Sequence, residues 1–320
     1  MDLAFIVQQS MYFIIPLLIV ALGGMFAERS GVINIALEGI MLMGGFTGAF
    51  FLKTIQATHP EINPQIVLIL ACLVAAICGG VFSLLHAYAA VNLKADQVIS
   101  GTALNLFAPA FAIFVTRAIQ KVQQIGFNKD GMYIQKVPVL GDIPVIGPFF
   151  FRNVYITTYI GFAIFIISAV LIAKTRFGLR LRACGEYPQA ADAVGINVHR
   201  IRYAGVIISG VLAGIGGLTF VVPTATEFNA TVGGYGFLAL AVLIFGNWRS
   251  FGLLGAALFF GLMKTFASIY SAVPVLKNLG IPGNVYKMIP YIATLVVLAI
   301  AAKRSQAPRA EGIPFEKGMR

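Results

Sequence analysis

Repeated apolar runs, most of them close to the length of a bilayer crossing, constrain this chain more than any motif does. They fall at 11–27, 36–53, 66–91, 97–117, 154–173, 204–222, 235–247, 252–272 and 286–302. Crossing a hydrocarbon core of about 30 Å takes roughly 20 apolar helical residues, and a helix satisfies its own backbone where water cannot. With 59% hydrophobic and 11% charged residues, a soluble domain of 320 residues could not hide so much apolar surface in one core. The expected fold is all-α, a polytopic transmembrane helix bundle of about nine spans within a range of eight to ten. One membrane domain covers 1–303 and a tail covers 304–320. The seventh run, at about 13 residues, is short for a crossing. It reads as a broken or re-entrant helix, unless its ends lie further out.

Charge sets the orientation. In the long polar interruption at 174–203, Lys174, Arg176, Arg180, Arg182, Arg200 and Arg202 outnumber Glu186 and Asp192, which places this loop in the cytoplasm. Nine crossings then put the N-terminus outside and the C-terminus inside, in agreement with Arg29 after the first span and Lys303, Arg304 and Arg309 after the last. The net charge of +11 gathers at membrane-flanking loops and the tail, so it suits anionic headgroups and not nucleic acid. The segment 118–153 falls outside and is rich in Gly and Pro, a turn-rich cap with room for a short hairpin. Its V-P-V-L-G-D-I-P-V-I-G-P-F-F stretch suits a packed cap first, and the membrane surface or an external partner second. The tail from Ser305 is polar with Pro and Gly, and is expected to be poorly ordered. Cys72, Cys78 and Cys184 have no metal spacing and read as free thiols. M-D-L-A-F-I-V-Q-Q carries no cationic n-region, so no cleaved signal peptide is expected. Gly44 with Gly48, Gly210 with Gly214, and Ala257 with Gly261 have the i,i+4 spacing of close helix packing, inside the bundle before a dimer seam.

Catalysis finds little support. H-E-x-x-H, C-x-x-C and G-x-S-x-G are absent, and His59, His86 and His199 are scattered. No G-x-x-x-x-G-K-[ST] loop is present, so any ATP-driven step belongs to another chain. The polar residues within apolar regions are costly in lipid and draw attention for that reason. Asn34 and Glu38 are spaced i,i+4, as on one helix face, and Gln97, Ser100, Thr102 and Asn105 polarise the start of the fourth run. Asn247 ends the seventh. Two readings stand for this set: a polar translocation path, or hydrogen bonding between helices with Glu38 paired to Arg29. A secondary transporter driven by ions has little to work with in a single embedded glutamate, and no repeated filter segment suggests a channel.

The loop at 174–203 carries more. Pro188 suits the first turn of a helix and Gly195 its end. Between them Q-A-A-D-A-V offers Ala190, Ala191 and Val194 as a compact apolar face, with Glu186 and Asp192 as acceptors for basic groups. Such a helix fits a groove on a soluble partner, and a plain surface helix fits it equally well.

The stretch R-F-G-L-R-L-R-A-C-G-E-Y-P-Q-A-A-D-A-V-G-I-N-V-H-R-I-R, followed by S-G-V-L-A-G-I-G-G, resembles the cytoplasmic coupling loop of ABC importer permeases. E-R-S-G-V-I-N-I-A-L-E-G-I-M-L-M-G at 28–44 and A-D-Q-V-I-S-G-T-A-L-N-L-F-A at 95–108 narrow the likeness. They resemble the smaller permease subunit of nucleoside, or simple-sugar, importers within the branched-chain amino acid and ribose branch. The resemblance implies a type II-like permease in a bacterial plasma membrane, paired with a second, related permease. It implies a separate cytoplasmic ABC ATPase that binds ATP and Mg, no cofactor in this chain, and an external or periplasmic substrate-binding protein. Carried over, Gly185, Glu186, Pro188, Ala190, Ala191 and Gly195 form the ATPase-coupling element, with Tyr187 where the family commonly has a small or polar residue. Nucleosides come first as substrate, ribose-like sugars second, branched-chain amino acids third. Asn34, Glu38, Thr102 and Asn105 would supply polar contacts, and Phe107, Phe111, Tyr235 and Phe237 would supply walls or serve only as core. The alternative is a secondary transporter acting without an ATPase, with Glu38 as its coupling group.

Overall fold

In the computed structural model, which describes residues 3–144, 146–270, 282–301 and 306–317, helix α1 (Leu3–Glu28) runs through the middle of the bundle. Leu17 to Leu22 are wholly shielded, and the helix is apolar on every side, as a helix surrounded by other helices must be. Packed on it are α6 (Ile156–Lys174), α9 (Val198–Thr224) and α11 (Ser250–Ile269), while α2 (Leu37–Thr58) and α3 (Pro64–Val91) pack against α9, with α4 (Gln97–Gln120) outermost on α2. These seven helices are long and apolar enough to cross a membrane. Of the other two expected spans, the seventh is the 11-residue α10 (Tyr235–Phe245), and the ninth falls on α12 (Gly283–Ala301).

Helix α9 packs against α1, α2 and α3, and glycine permits the approach. A methyl at Gly44 of α2 would strike the backbone of Gly214, and one at Gly79 of α3 would strike that of Gly210. In lipid, where apolar burial gives little drive between helices, such backbone contact is a main source of association. The i,i+4 glycines therefore serve the bundle interior. Helix α4 lies at the edge, with Ile99, Leu106 and Phe114 exposed.

The 118–153 segment folds into a lobe over one end of the bundle. Two short antiparallel sheets tie it down: β1 (Ile125–Gly126) with β4 (Glu227–Phe228), and β2 (Tyr133–Lys136) with β3 (Arg152–Tyr155). The β2–β3 pair encloses a 3-10 turn (Leu140–Asp142) and α5 (Ile146–Phe150), and is thus a wider closure than a tight hairpin. Gln8 Nε2 of α1 donates to Pro148 O at 2.7 Å and ties the apolar stretch to the bundle, but it is not a packed cap: among its described residues only Gly141 and Gly147 are buried, while Val139, Leu140, Ile143, Ile146 and Phe150 stand exposed.

At the opposite, basic face lie α7 (Arg176–Glu186) and α8 (Pro188–Ala193). The tail corrects its expectation: residues 306–317 are folded against this face. Ala310 N donates to Gly185 O at 2.8 Å and Gly312 N donates to Gly31 O at 3.2 Å. Arg202 Nη1 donates to Ile313 O at 2.8 Å, and Lys94 pairs with Glu316. Phe315 is buried against Cys184, Ala191 and Val198, so one aromatic anchor and a run of backbone bonds outweigh the polar composition.

Candidate translocation junction and coupling face

Between α1 and α2 the chain leaves the helical path, and Val32–Asn34 have no regular structure. Non-helical backbone inside a membrane protein must find its hydrogen bonds in side chains. Here they come from α3 and α4. Ile33 N donates to Gln97 Oε1 at 2.7 Å, and Ile33 O lies 2.7 Å from His86 Nε2. That contact assigns the His86 proton to Nε2, leaving Nδ1 to accept from Ser100 Oγ at 2.9 Å. Asn105 bridges the next step: its Nδ2 donates to Ile35 O at 2.8 Å and its Oδ1 accepts from Gly39 N at 2.7 Å. Asn34 Nδ2 donates to Ser209 Oγ at 2.8 Å, in full burial.

Asn34 and Glu38 therefore do not share a helix face, because α2 begins only at Leu37. Nor does Glu38 pair with Arg29, whose Nε and Nη2 donate to Trp248 O at 3.1 and 2.7 Å. The Glu38 carboxylate instead accepts from Gly234 N at 2.9 Å and Gly236 N at 2.6 Å, and so closes the first turn of α10. An 11-residue helix is about 16 Å long, half a bilayer core. Its N-terminus, which carries partial positive charge, thus opens inside the bundle and is met by an internal anion. Gly234 starts it at φ +78°, and Gly236 lies so close to the Glu38 backbone that a side chain would not fit. Two interrupted segments, 29–36 and the approach to α10, meet at this carboxylate. Interrupted helices of this kind are where transporters place moving, ligand-binding backbone.

Thr102 is not brought into this junction. It is exposed on α4, and its hydroxyl donates to Val98 O of its own helix at 2.7 Å. On another side of α4, five and nine residues further along, Phe107 stacks on Phe111 at 5.4 Å and on Phe82 at 6.1 Å, with about half of Phe107 exposed. Phe237 is also half-exposed, whereas Tyr235 is core, packed on Phe220 at 4.1 Å. Sequence reasoning that counts embedded charges and stops at Glu38 misses Lys264 of α11. Its Nζ lies 5.6 Å from the centre of the Tyr235 ring, a cation–π distance. Its position inside the run 252–272 is the signal that reveals it.

On the basic face, Thr175 Oγ1 caps α7 by accepting from Gly178 N at 3.1 Å. Pro188 opens α8 in its first turn. Gly195 N donates to Asp192 O at 2.9 Å and Ile196 N to Ala191 O at 3.0 Å. With Gly195 at φ +82°, this is a Schellman ending, and nothing crowds the glycine. Its backbone angle alone explains the residue. The expected apolar trio divides. Ala191 faces inward with Cys184 and Phe315, while Ala190 and Val194 point out, one turn apart. The exposed ridge is thus Ala190 and Val194 on α8, preceded by Glu186 and Tyr187, which are exposed at the break between α7 and α8. Gly185 and Pro188 are buried beneath it. Burial pushes the Cys184 thiol up to about 11, opposed by the nearby Arg202 charge, which makes it an inert packing group.

The two sites are joined. Gly185 rests on the Arg29 carbonyl, and Gly205 of α9 rests on Ser30, each too close for a side chain. The end of α7 is thus in direct backbone contact with Arg29, at the start of the segment 29–36 that holds Asn34 and precedes Glu38.

The family described as branched-chain amino acid transport system, permease component, matches residues 6–298. The chain is 43% identical to the guanosine ABC transporter permease NupQ of Bacillus subtilis, covering 99% of this chain and 98% of that protein. It is 40% identical to the nucleoside ABC transporter permease NupC of Lactococcus lactis, over 98% of both. It is also 26% identical to a second Bacillus subtilis protein, the guanosine ABC transporter permease NupP, over 91% of this chain and 80% of that one. No solved structure matches the chain.

Proposed function

The chain belongs to the permease components of the branched-chain amino acid transport systems, and from that premise we propose that it carries nucleosides inward as one half of an ATP-driven importer. It is a permease subunit and not an enzyme; ATP is hydrolysed by a separate ATPase subunit. The observation that carries the nucleoside reading is end-to-end likeness to two permeases named for guanosine and nucleosides.

The finer parts of the reading rest on geometry. Glu186, Ala190 and Val194 form the surface that meets the ATPase, with Gly185, Pro188, Ala191 and Gly195 shaping the element from within. The pairing partner is a second, related permease, in keeping with the likeness to both NupQ and NupP of one organism. The substrate passes between the two permeases, on the side where Phe107 and Phe111 stand exposed on α4, with Thr102 exposed on the side away from them. The aromatic rings suit the flat face of a base. Asn34, Asn105 and Glu38 act as the hinge that opens this side, with Asn105 and Glu38 turned on the backbone of 35–39 and 234–236 and Asn34 on the Ser209 hydroxyl. The loop 174–203 faces the cytoplasm of a bacterial cell, where ATP is available, and the binding protein docks on the opposite side.

Uptake of radiolabelled guanosine by cells lacking and then regaining this chain tests the reading. We expect loss and restoration of uptake, competition by other nucleosides, and none by ribose or leucine. Competition by ribose or leucine but not by nucleosides would overturn the substrate assignment. Recovery of a second permease and an ATPase on gentle affinity purification tests the assembly.

A further inference from the structure

A half-open cavity of about 1070 Å³ lies on the basic face, lined by Arg29, Arg182, Arg249 and Arg309 and by a single carboxylate, Glu186. Among the described residues none of these arginines has a carboxylate within ion-pair distance. Arg29 is committed to Trp248 O. Burial lowers its pKa, Glu186 opposes this, and the charges of Arg182 and Arg249 lower it further, so the guanidinium groups crowd one another. Four like charges around one space call for an anion. Helix α11 also begins at the rim, with no side chain capping its first turn.

The other wall of the cavity is apolar. Ile172 lies in the last turn of α6 and Phe251 in the first turn of α11. Both positions are the basic-face ends of membrane-crossing helices, which is the depth of phospholipid headgroups. Phe251 is 76% exposed, and its ring meets Phe165, two turns deeper on α6, edge-on at 5.6 Å. Further round α6, away from the Phe165, Ala169 and Ile172 side that faces the cavity, Ile166, Ile167 and Val170 are exposed. The basic cavity therefore has an apolar rim at Phe251 that adjoins the exposed apolar surface of a membrane-crossing helix. A soluble anion would use the arginines and leave this rim uncovered, whereas a molecule with a phosphate head and an acyl tail would use both.

We propose that this cavity binds the phosphodiester headgroup of an anionic phospholipid through Arg182, Arg249 and Arg309, with an acyl chain lying along the exposed ring of Phe251. Charge-assisted bonds from guanidinium to phosphate are the strong, geometrically specific kind, and basic pockets beside crossing helices are where such headgroups lodge. The lipid would bridge α7, which carries Glu186, to the tail at Arg309 and to α11. The inference goes beyond the substrate reading and is independent of it.

The chain supplies its own probe, since Trp248 lines the cavity and is the single tryptophan. The full-length chain is reconstituted in phosphatidylcholine vesicles and titrated with phosphatidylglycerol brominated on its acyl chains. Saturable quenching of Trp248 is expected with brominated phosphatidylglycerol and not with brominated phosphatidylcholine. The double change R249Q/R309Q should weaken the apparent affinity about thirtyfold, the loss of two basic groups near an anionic surface. R309Q alone should weaken it about fivefold, and, being an exposed tail residue, it keeps the test valid if the double variant fails to fold. Equal quenching by both lipids, or selective quenching indifferent to R309Q, overturns the proposal. In the assembled importer, Phe251→p-benzoylphenylalanine should cross-link to lipid on illumination. A cross-link only to the ATPase would make the cavity a protein interface and overturn the lipid assignment. Displacement of short-chain phosphatidylglycerol by equimolar inorganic phosphate would show that the apolar wall adds nothing and would likewise overturn it.

Discussion

The Glu38 carboxylate lies 2.6 Å from the backbone N–H of Gly236, so the first turn of α2 closes the open end of α10. This makes Glu38 a fixed counter-charge for a helix end, where a group that shuttles a proton would be left free to move. Glu38→Gln keeps one acceptor and loses the charge, and should destabilise the protein by about 1 kcal/mol. Uptake should fall several-fold while remaining dependent on ATP and indifferent to proton or sodium gradients. Gradient-driven uptake abolished by this change would restore the secondary-transporter alternative.

Asn105 satisfies two backbone groups that have no helix to serve them, Ile35 O and Gly39 N. Asn105→Leu leaves both without partners in a partly buried place, at a cost of about 2–4 kcal/mol. Thermal unfolding in detergent should show a clearly lower midpoint. Thr102→Ala removes only a bond from a side chain to its own helix, and the midpoint should hardly move. Similar losses in both would mean that the brace has been assigned to the wrong residue.

The outward ridge and the buried side of α8 should separate in assays. Glu186→Arg and Val194→Asp should leave the protein folded in the membrane while ATP hydrolysis proceeds without uptake. Ala191→Leu forces a larger side chain into the space shared with Cys184, Val198 and Phe315. Overpacking of this kind costs about 1–3 kcal/mol, so lower stability is its expected signature. Normal transport with Glu186→Arg would remove that residue from the coupling surface.

Burial pushes the Glu311 carboxyl up from 4.5 to about 7, against the opposing effect of its hydrogen bond with Glu28. A carboxyl raised on folding stabilises the folded form fully below pH 4.5, and that contribution is lost as pH rises through about 7. Amides of residues 306–317 should therefore exchange hydrogen faster at pH 8 than at pH 6 once the intrinsic pH effect is removed. Glu311→Gln should abolish the difference. A wild-type tail equally protected at both values would show that Glu311 does not govern its seating.

Much of the bundle is legible in the sequence because a membrane crossing is a local property, written in consecutive apolar residues. The ends of α8 are equally local: Pro188 and Gly195 act on their own backbone. The break at 29–36 is not legible in this way. Its hydrogen bonds come from His86, Gln97 and Asn105, which lie 53 to 70 residues away, and no local pattern announces that they converge. Asn34 and Glu38 at four-residue spacing imitate a helix face for the same reason. The case of α7 differs. Gly178, Leu181, Cys184 and Gly185 repeat its buried side at helical spacing, but the surrounding arginines give the stretch the look of a loop. In the tail, Phe315 and Ala310 anchor a segment whose average composition argues against order.

The seating of residues 306–317 on Gly185, Gly31 and Arg202 bears on how the molecule is built. These residues follow every membrane helix in chain order. Insertion of the spans therefore cannot by itself finish the basic face, because the floor beneath α8 is laid only after the helices have been synthesised. A nascent chain halted after its final crossing would sit in the membrane with its helices in place and its coupling ridge unsupported. On the coupling role proposed for that ridge, assembly with an ATPase would then discriminate between finished and unfinished chains.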